Sequence, residues 1–276
     1  MTTQTGRAPA GLHMAGPHSM IRAAMLCCGL LLGAAALPAA AQTNLQLWGD
    51  LSLNWLRSDR LAYALDLEPQ ALVANTDEDA TGWWTFGVTP NVEYSAKSWL
   101  DVIGELGTGI THQTDGQGSF ELTPRAGLRF HVFSRDVPNV VGRRLNPVER
   151  PPTRRFILRD RLLVEQRNLF YNHDEPTSST VRVRNRIELQ LALNRPKVTD
   201  DGSRTLLADW EWFIPLDDPA ERFASRQRIR SGLAFRHSFA WRSELVYIWT
   251  RSRDTTDEVF STSDNAISFT LRRFFK

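Results

Sequence analysis

One pair of neighbouring residues has two of the side-chain types that serine hydrolases use for catalysis. His237 and Ser238 are adjacent, and Glu244 follows shortly after them. Nucleophilic catalysis needs the serine hydroxyl within hydrogen-bond reach of the imidazole and a carboxylate on the other ring nitrogen. Neighbours in a two-residue hairpin turn rarely meet that geometry. The pair is therefore predicted to be a polar turn, and we expect no catalytic site there.

Metal and phosphate chemistry have weaker candidates. His112 and Asp115 fall on a predicted loop, and His131 and His173 have no partners at metal-ligand spacing. The acidic run 77–79 is predicted to be a solvated loop rather than a cation site. Because neither a glycine-rich phosphate loop nor a set of metal ligands is found, the sequence predicts no cofactor and no metal.

The most regular charged residues are arginines spaced two apart. Arg182, Arg184 and Arg186 alternate with apolar residues such as Val183 and Ile187. Successive side chains of a strand point to opposite faces, so this pattern predicts a strand between an apolar and a hydrated phase. The same alternation predicts ten lumen-lining residues: Asp66, Glu68, Asp101, Glu105, Arg182, Arg184, Arg186, Arg226, Arg228 and Arg230.

The strands that would position these charges run almost to the end of the chain. Eleven clear segments with period-two alternation lie between Leu45 and Phe275. A twelfth, over residues 134–153, is doubtful because Pro138, Pro147, Pro151 and Pro152 favour a loop. Bacterial barrels prefer an even strand number. We therefore predict an all-β, transmembrane, antiparallel up-and-down β-barrel of about twelve strands, with ten as the fallback.

The first part of the chain predicts export. A run of apolar residues from Ala23 to Leu37 leads into Ala39-Ala40-Ala41, which is typical of a signal peptide with its cleavage site. We assign residues 1–41 to the signal peptide and residues 42–276 to the barrel. Both cysteines, Cys27 and Cys28, fall within the leader, so the mature chain is predicted to form no disulfide.

Charge is unevenly divided along the mature chain. Residues 42–121 hold 3 basic and 12 acidic side chains, whereas residues 122–276 hold 28 and 19. A closed barrel would then have an acidic and a basic sector. In one interpretation these charges pair and plug a narrow interior. In the other, they leave a hydrated path whose arginine ladder favours an anionic solute.

Some segments also resemble a known family. Three segments are similar to the outer-membrane β-barrels called domain of unknown function 2490: the run 48–54, the turn 58–60 and the segment 158–167, which contains three arginines and Glu165. The resemblance implies a location in the outer membrane of a Gram-negative cell, with outer-membrane lipids and the barrel-insertion machinery as partners. It implies no activity. The chain departs from outer-membrane barrels in that Lys276 follows the terminal aromatic Phe275.

Together these features predict an outer-membrane β-barrel that is structural or forms a narrow, porin-like channel with an arginine-rich lumen. One alternative is an outer-membrane hydrolase of lipid or lipopolysaccharide. Another is a soluble periplasmic ligand-binding barrel, because a lipocalin-like fold has the same alternation with its faces reversed. The mature charge is balanced, so no nucleic-acid partner is expected.

Overall fold

The computed structural model describes residues 43–74, 82–112, 118–133, 155–172, 176–216, 225–253, 260 and 262–275. These residues form eleven β-strands: β1 Thr43–Leu56, β2 Leu61–Ala74, β3 Trp84–Lys97, β4 Leu100–His112, β5 Gly118–Phe133, β6 Phe156–Tyr171, β7 Ser178–Ala192, β8 Arg204–Pro215, β9 Ser225–Ser238, β10 Trp241–Arg253 and β11 Thr262–Phe275. Among the described residues, no helix has the length and apolarity needed to cross a membrane.

The strands close into one barrel, as the alternation predicted. Each strand pairs with the next in an antiparallel ladder, and β1 closes the barrel against β11. This last pair is parallel, with Thr43 beside Ser263 and Trp55 beside Phe275. The sheet is therefore mixed rather than wholly antiparallel, because an odd number of up-and-down strands leaves the first and last pointing the same way.

The described part of the chain contains eleven strands rather than the twelve preferred from sequence. The doubtful segment 134–153 lies outside the described residues. The preference for twelve rested on the even count of bacterial barrels. Parallel closure removes that constraint, since β1 and β11 pair without a further strand between them.

The two faces of the sheet carry opposite chemistry. Large apolar side chains such as Leu106, Val164 and Phe269 are exposed, whereas Glu165, Arg182 and Glu211 on the alternate positions are buried. A single closed sheet encloses space on one side only. The buried charged side chains therefore lie on the enclosed side and the apolar ones on the outer surface.

Three prolines interrupt the ladders without ending their strands. Pro69 is in register with Phe86, Pro90 with Leu65, and Pro124 with Leu106. Each lacks a register partner on its other neighbouring strand, where the pairing skips the proline and one adjacent residue. Because proline has no N–H to donate, a strand that contains it loses hydrogen bonds on one side.

Two glycines let adjacent strands approach closely on the enclosed side. A Cβ atom at Gly127 would lie 2.0 Å from the carbonyl oxygen of Leu162. At Gly232 it would lie 2.2 Å from the carbonyl oxygen of Leu245. Backbone atoms of a paired strand cannot swing aside as a flexible side chain can. Any larger residue at these two positions would therefore push the strands apart.

Candidate functional site

The ten charged residues selected from sequence all occupy positions of the buried parity, but they do not form one cluster. Six of them, all on strands β4 and β7–β9, have ion pairs with residues of opposite charge: Glu105, Arg182, Arg184, Arg186, Arg228 and Arg230. Asp66 and Glu68 on β2 lie apart from this network, and Asp101 contacts His131 instead, at 2.6 Å.

A closed ring of alternating charges lies at the centre of the network. We call it the charge ring, and its members in order are Glu105, Arg125, Glu165, Arg184, Glu211 and Arg161, which come from strands β4 to β8. Arg125 contacts Glu105 at 3.4 Å and Glu165 at 3.1 Å. Arg184 contacts Glu165 at 3.1 Å and Glu211 at 2.8 Å. Arg161 closes the ring, at 3.5 Å from Glu211 and 3.4 Å from Glu105.

The charge ring extends along the barrel through shared carboxylates. Glu211 also contacts Arg228 at 3.4 Å and Arg230 at 4.0 Å. Arg230 reaches Asp209 at 2.7 Å, and Asp209 contacts Arg186 at 3.1 Å. Arg186 in turn contacts Glu188, which also pairs with Arg159. One continuous set of ion pairs therefore connects β4 with β9.

Some of these contacts join strands that are not neighbours in the sheet. Arg161 on β6 and Glu211 on β8 have strand β7 between them. Arg129 on β5 and Glu93 on β3 are likewise separated by β4. Contacts that skip a strand form on the concave side of a closed sheet. The ion pairs thus tie together strands that share no backbone hydrogen bonds.

The two carboxylates that form ion pairs with the most arginines are fully buried. The side chains of Glu165 and Glu211 have no exposed surface. Moving an ion out of water costs several kcal/mol, and paired neighbours must offset that cost. Each of the two has at least three guanidinium groups within 4.0 Å. These two glutamates are therefore the points at which the network is most sensitive to loss of charge.

A buried aromatic ring sits among the arginines. The ring centroid of Phe213 on β8 lies 4.7 Å from the guanidinium carbon of Arg184, 4.9 Å from that of Arg182 and 5.2 Å from that of Arg228. These distances are within the range of cation–π attraction. Arg228 also lies 5.0 Å from the ring of Trp48 on β1. Since β10 and β11 separate β9 from β1, this contact reaches towards the opposite wall.

That opposite wall is acidic and has different partners. We call Asp50, Asp66 and Glu68 the acidic wall. Their carboxylates accept hydrogen bonds only from neutral groups: Thr270 at 3.2 Å, Asn91 at 3.1 Å and Thr89 at 3.2 Å, respectively. Within the described residues, none of the three has an ion pair within 4.0 Å. The predicted acidic sector is therefore neutralised only in part: Glu105 pairs with Arg125 and Arg161, whereas the acidic wall has no ion pair.

The arrangement at His237 does not match a hydrolytic triad. The Nε2 atom of His237 lies 2.9 Å from the hydroxyl of Ser243, not that of Ser238. Glu244 is on the other face of its strand, where it pairs with Arg242 at 3.1 Å and Arg272 at 3.0 Å. In the part of the chain that the structure describes, no carboxylate contacts the His237 ring. The predicted loop residues Asp115 and 77–79, and His173, lie outside the described residues.

Metal binding and known relatives give no further assignment. No group of three or more histidine, cysteine or acidic residues with the geometry to hold a metal ion is found among the described positions. Comparison of the chain with models of known families, with curated proteins and with solved structures finds no match. What this chain does must therefore be inferred from its own geometry.

Sequence reasoning missed the residues that organise this site. Glu165, Arg125 and Arg161 were recognisable as charges on the hydrated faces, but nothing in their spacing identifies them as one ring. Phe213 gave no signal, because an apolar residue next to Trp212 and Ile214 fits a continuous apolar run. Which charged residues pair depends on the register between neighbouring strands. The sequence pattern of a single strand does not determine that register.

Proposed function

We propose that the mature chain is an integral outer-membrane β-barrel with a structural role, whose interior is crosslinked by ion pairs. The observation that carries the proposal is the reversal of chemistry across the sheet: apolar side chains cover the outside and the ionised ones are enclosed. A hydrocarbon phase around the barrel would contact such a surface favourably, whereas water would not. The predicted signal peptide and the resemblance to outer-membrane barrels support the same location.

The soluble alternative fits the geometry less well. A periplasmic ligand-binding barrel would enclose an apolar cavity and present charged residues to water. Here the exposed outer positions include Leu47, Val102, Leu245 and Phe269, each at least 43% exposed. So many large apolar groups on one surface favour contact with lipid or another protein.

The charge ring favours a structural role over an open pore. Its members come from five consecutive strands and meet in the enclosed space. Side chains that pair over an intervening strand hold this part of the sheet together and leave little room for solute beside it. We infer that this half of the barrel is closed in its resting state.

Cell fractionation tests the location directly. The mature protein is expected in the outer-membrane fraction, extractable only with detergent, because its outer surface is apolar. Its band on a gel is expected to shift on boiling, as that of a folded barrel does when it unfolds. Recovery of the whole protein from the soluble periplasm would contradict the proposal. A cytoplasmic marker and a periplasmic marker measured in the same samples control for leakage.

A narrow channel is the second candidate, and the acidic wall favours it. In the described part of the barrel, no guanidinium group lies within 4.0 Å of the carboxylates of Asp50, Asp66 and Glu68, so no ion pair bridges them to the charge ring. A path between the two walls would be bounded by these carboxylates on one side. On the other side the arginines are already matched by glutamates. Such a path would favour small cations over the anionic solute that the arginine ladder suggests.

Conductance in planar bilayers tests this second candidate. If the wild-type barrel conducts, the double variant Asp66→Asn with Glu68→Gln is expected to lose most of its cation preference, because it removes two unpaired charges. The effect should be larger at low salt, where the screening length rises from about 10 Å at 0.1 M to about 30 Å at 0.01 M. Both changes preserve side-chain size and hydrogen bonding.

Two results would contradict the conducting path along this wall. One is a wild-type barrel that gives no current. The other is a conducting barrel whose selectivity is the same in the double variant. The matched variant Glu93→Gln removes one inward carboxylate that already has an arginine partner, Arg129. It should change the selectivity much less than the double variant.

A further inference from the structure

One carboxylate breaks the pattern of the outer face. Asp160 on β6 has the same parity as Leu162 and Val164, which are 38% and 49% exposed. Every other carboxylate in the eleven described strands has the opposite, enclosed parity. Asp160 is flanked by apolar neighbours, with Phe130 and Ile187 as its register partners. It is thus a single carboxylate with apolar register partners on the outer face of the described strands.

Asp160 has one hydrogen-bond partner, on the next strand. The side-chain amide of Asn185 donates to its Oδ1 atom at 2.8 Å. Asn185 is also on the outer face, between Val183 and Ile187, at the middle of the fifteen-residue strand β7. We call Asp160 and Asn185 the outer polar pair. If the barrel spans a membrane, as proposed above, this pair lies within the hydrocarbon layer.

Polar groups at that depth are costly unless they are fully hydrogen-bonded. An ionisable side chain facing lipid near the membrane centre destabilises a barrel. The outer polar pair is only partly satisfied: Oδ2 of Asp160, Oδ1 of Asn185 and the second amide hydrogen of Asn185 have no hydrogen bond within the described residues. Two acceptors and one donor therefore remain, side by side, on the surface.

We propose that the outer polar pair is the centre of a contact between two copies of this chain in the membrane. A two-fold axis along the membrane normal would bring the unused amide hydrogen of Asn185 in each copy to Oδ2 of Asp160 in the other. Two reciprocal hydrogen bonds would then form in the same contact. A lipid headgroup cannot do this, because its polar atoms stay at the membrane surface. The proposal rests on the membrane location proposed above.

Disulfide crosslinking of the full mature protein in lipid vesicles tests the contact. The mature chain contains no cysteine, so a single reporter can be introduced without background. Leu162→Cys places it opposite Asn185 in the register of β6 and β7. We expect oxidation to yield a crosslinked dimer. Adding Asp160→Leu should lower the yield about tenfold, because both reciprocal hydrogen bonds are lost. Leu106→Cys, on the outer face of β4, is the matched reporter and should not crosslink.

The outcomes separate this proposal from that of membrane location. Folding is followed in the same samples by the shift of the band on boiling. Suppose that the protein is folded and membrane-bound, and that the Leu162→Cys and Leu106→Cys reporters crosslink equally. This result would overturn the two-fold contact but would leave the proposed location unaffected. The same holds if Asp160→Leu leaves the yield of the Leu162→Cys reporter unchanged. A protein that does not insert into vesicles at all would instead contradict the location. Crosslinking in cells to a partner of different mass, without a dimer, would also overturn the contact between copies.

Discussion

Replacing Glu211 by glutamine is expected to destabilise the folded barrel by about 3 to 5 kcal/mol. The side chain of Glu211 is fully buried and contacts four arginines, the closest being Arg184 at 2.8 Å. Glutamine keeps the size and can still accept hydrogen bonds, but it carries no charge. Four guanidinium groups would then share a low-dielectric space with one fewer counter-charge. Urea-induced unfolding of the protein in vesicles, followed by tryptophan fluorescence, measures the effect.

The control is the same substitution at a less buried ion pair. Glu93 has a single arginine partner, Arg129, and its side chain is 28% exposed. Because Glu93 is partly hydrated and balances one arginine rather than four, Glu93→Gln should cost less than Glu211→Gln. Equal effects of the two substitutions would mean that the charge ring is hydrated and that its ion pairs do not hold the barrel together. The structural role proposed here would then fail.

Arginine in place of Leu106 is expected to lower the stability of the barrel in a bilayer by about 2 to 4 kcal/mol. Leu106 is the central residue of the thirteen-residue strand β4, and its side chain is 42% exposed on the outer face. In a membrane, the guanidinium group would enter the middle of the hydrocarbon layer. Its hydration would be lost with no partner to offset the cost. The yield of folded protein in vesicles measures the loss.

The control is an arginine substitution on the same outer face, but near the end of a strand instead of its middle. Val132, 54% exposed, is the penultimate residue of β5 and lies near one end of the barrel. Val132→Arg should cost only about 0 to 1 kcal/mol, since an arginine there reaches the interface. A barrel surrounded by water would tolerate both substitutions. Similar folding of the two variants would therefore argue against a lipid-facing surface.

The fold was largely predictable because its strongest signal is local. Alternation of side chains is a property of each strand alone, so segments such as β7 could be recognised without knowledge of their neighbours. The number of strands and the way in which the barrel closes are not local properties. Whether β1 meets β11 in parallel depends on the whole sheet closing, and an even-number preference taken from other barrels gave twelve. The eleven clear segments, counted from the pattern, were the better guide.

The candidate site was less predictable for a related reason. The ten selected residues have the expected parity, but the carboxylates that neutralise the arginines are largely Glu165, Glu188, Asp209 and Glu211. These partners are fixed by the shift between strands, which brings Arg184 beside Glu165 and Glu211. Nothing in the sequence singles out Asp160, because one more acid in a strand that also contains three arginines and Glu165 looks like another enclosed charge.

Parallel closure also limits how this chain could be rearranged. Thr43 begins β1 at one end of the barrel, and Phe275 ends β11 at the other. Barrels with an even number of strands have both ends together, so a tight turn can join them and new ends can be opened elsewhere. Here a circular permutation would need a connection that runs the full length of the barrel, as every link between parallel strands does. Duplication of two-stranded hairpins cannot by itself produce such a sheet either, because ten strands come from five hairpins and the eleventh has no partner of its own.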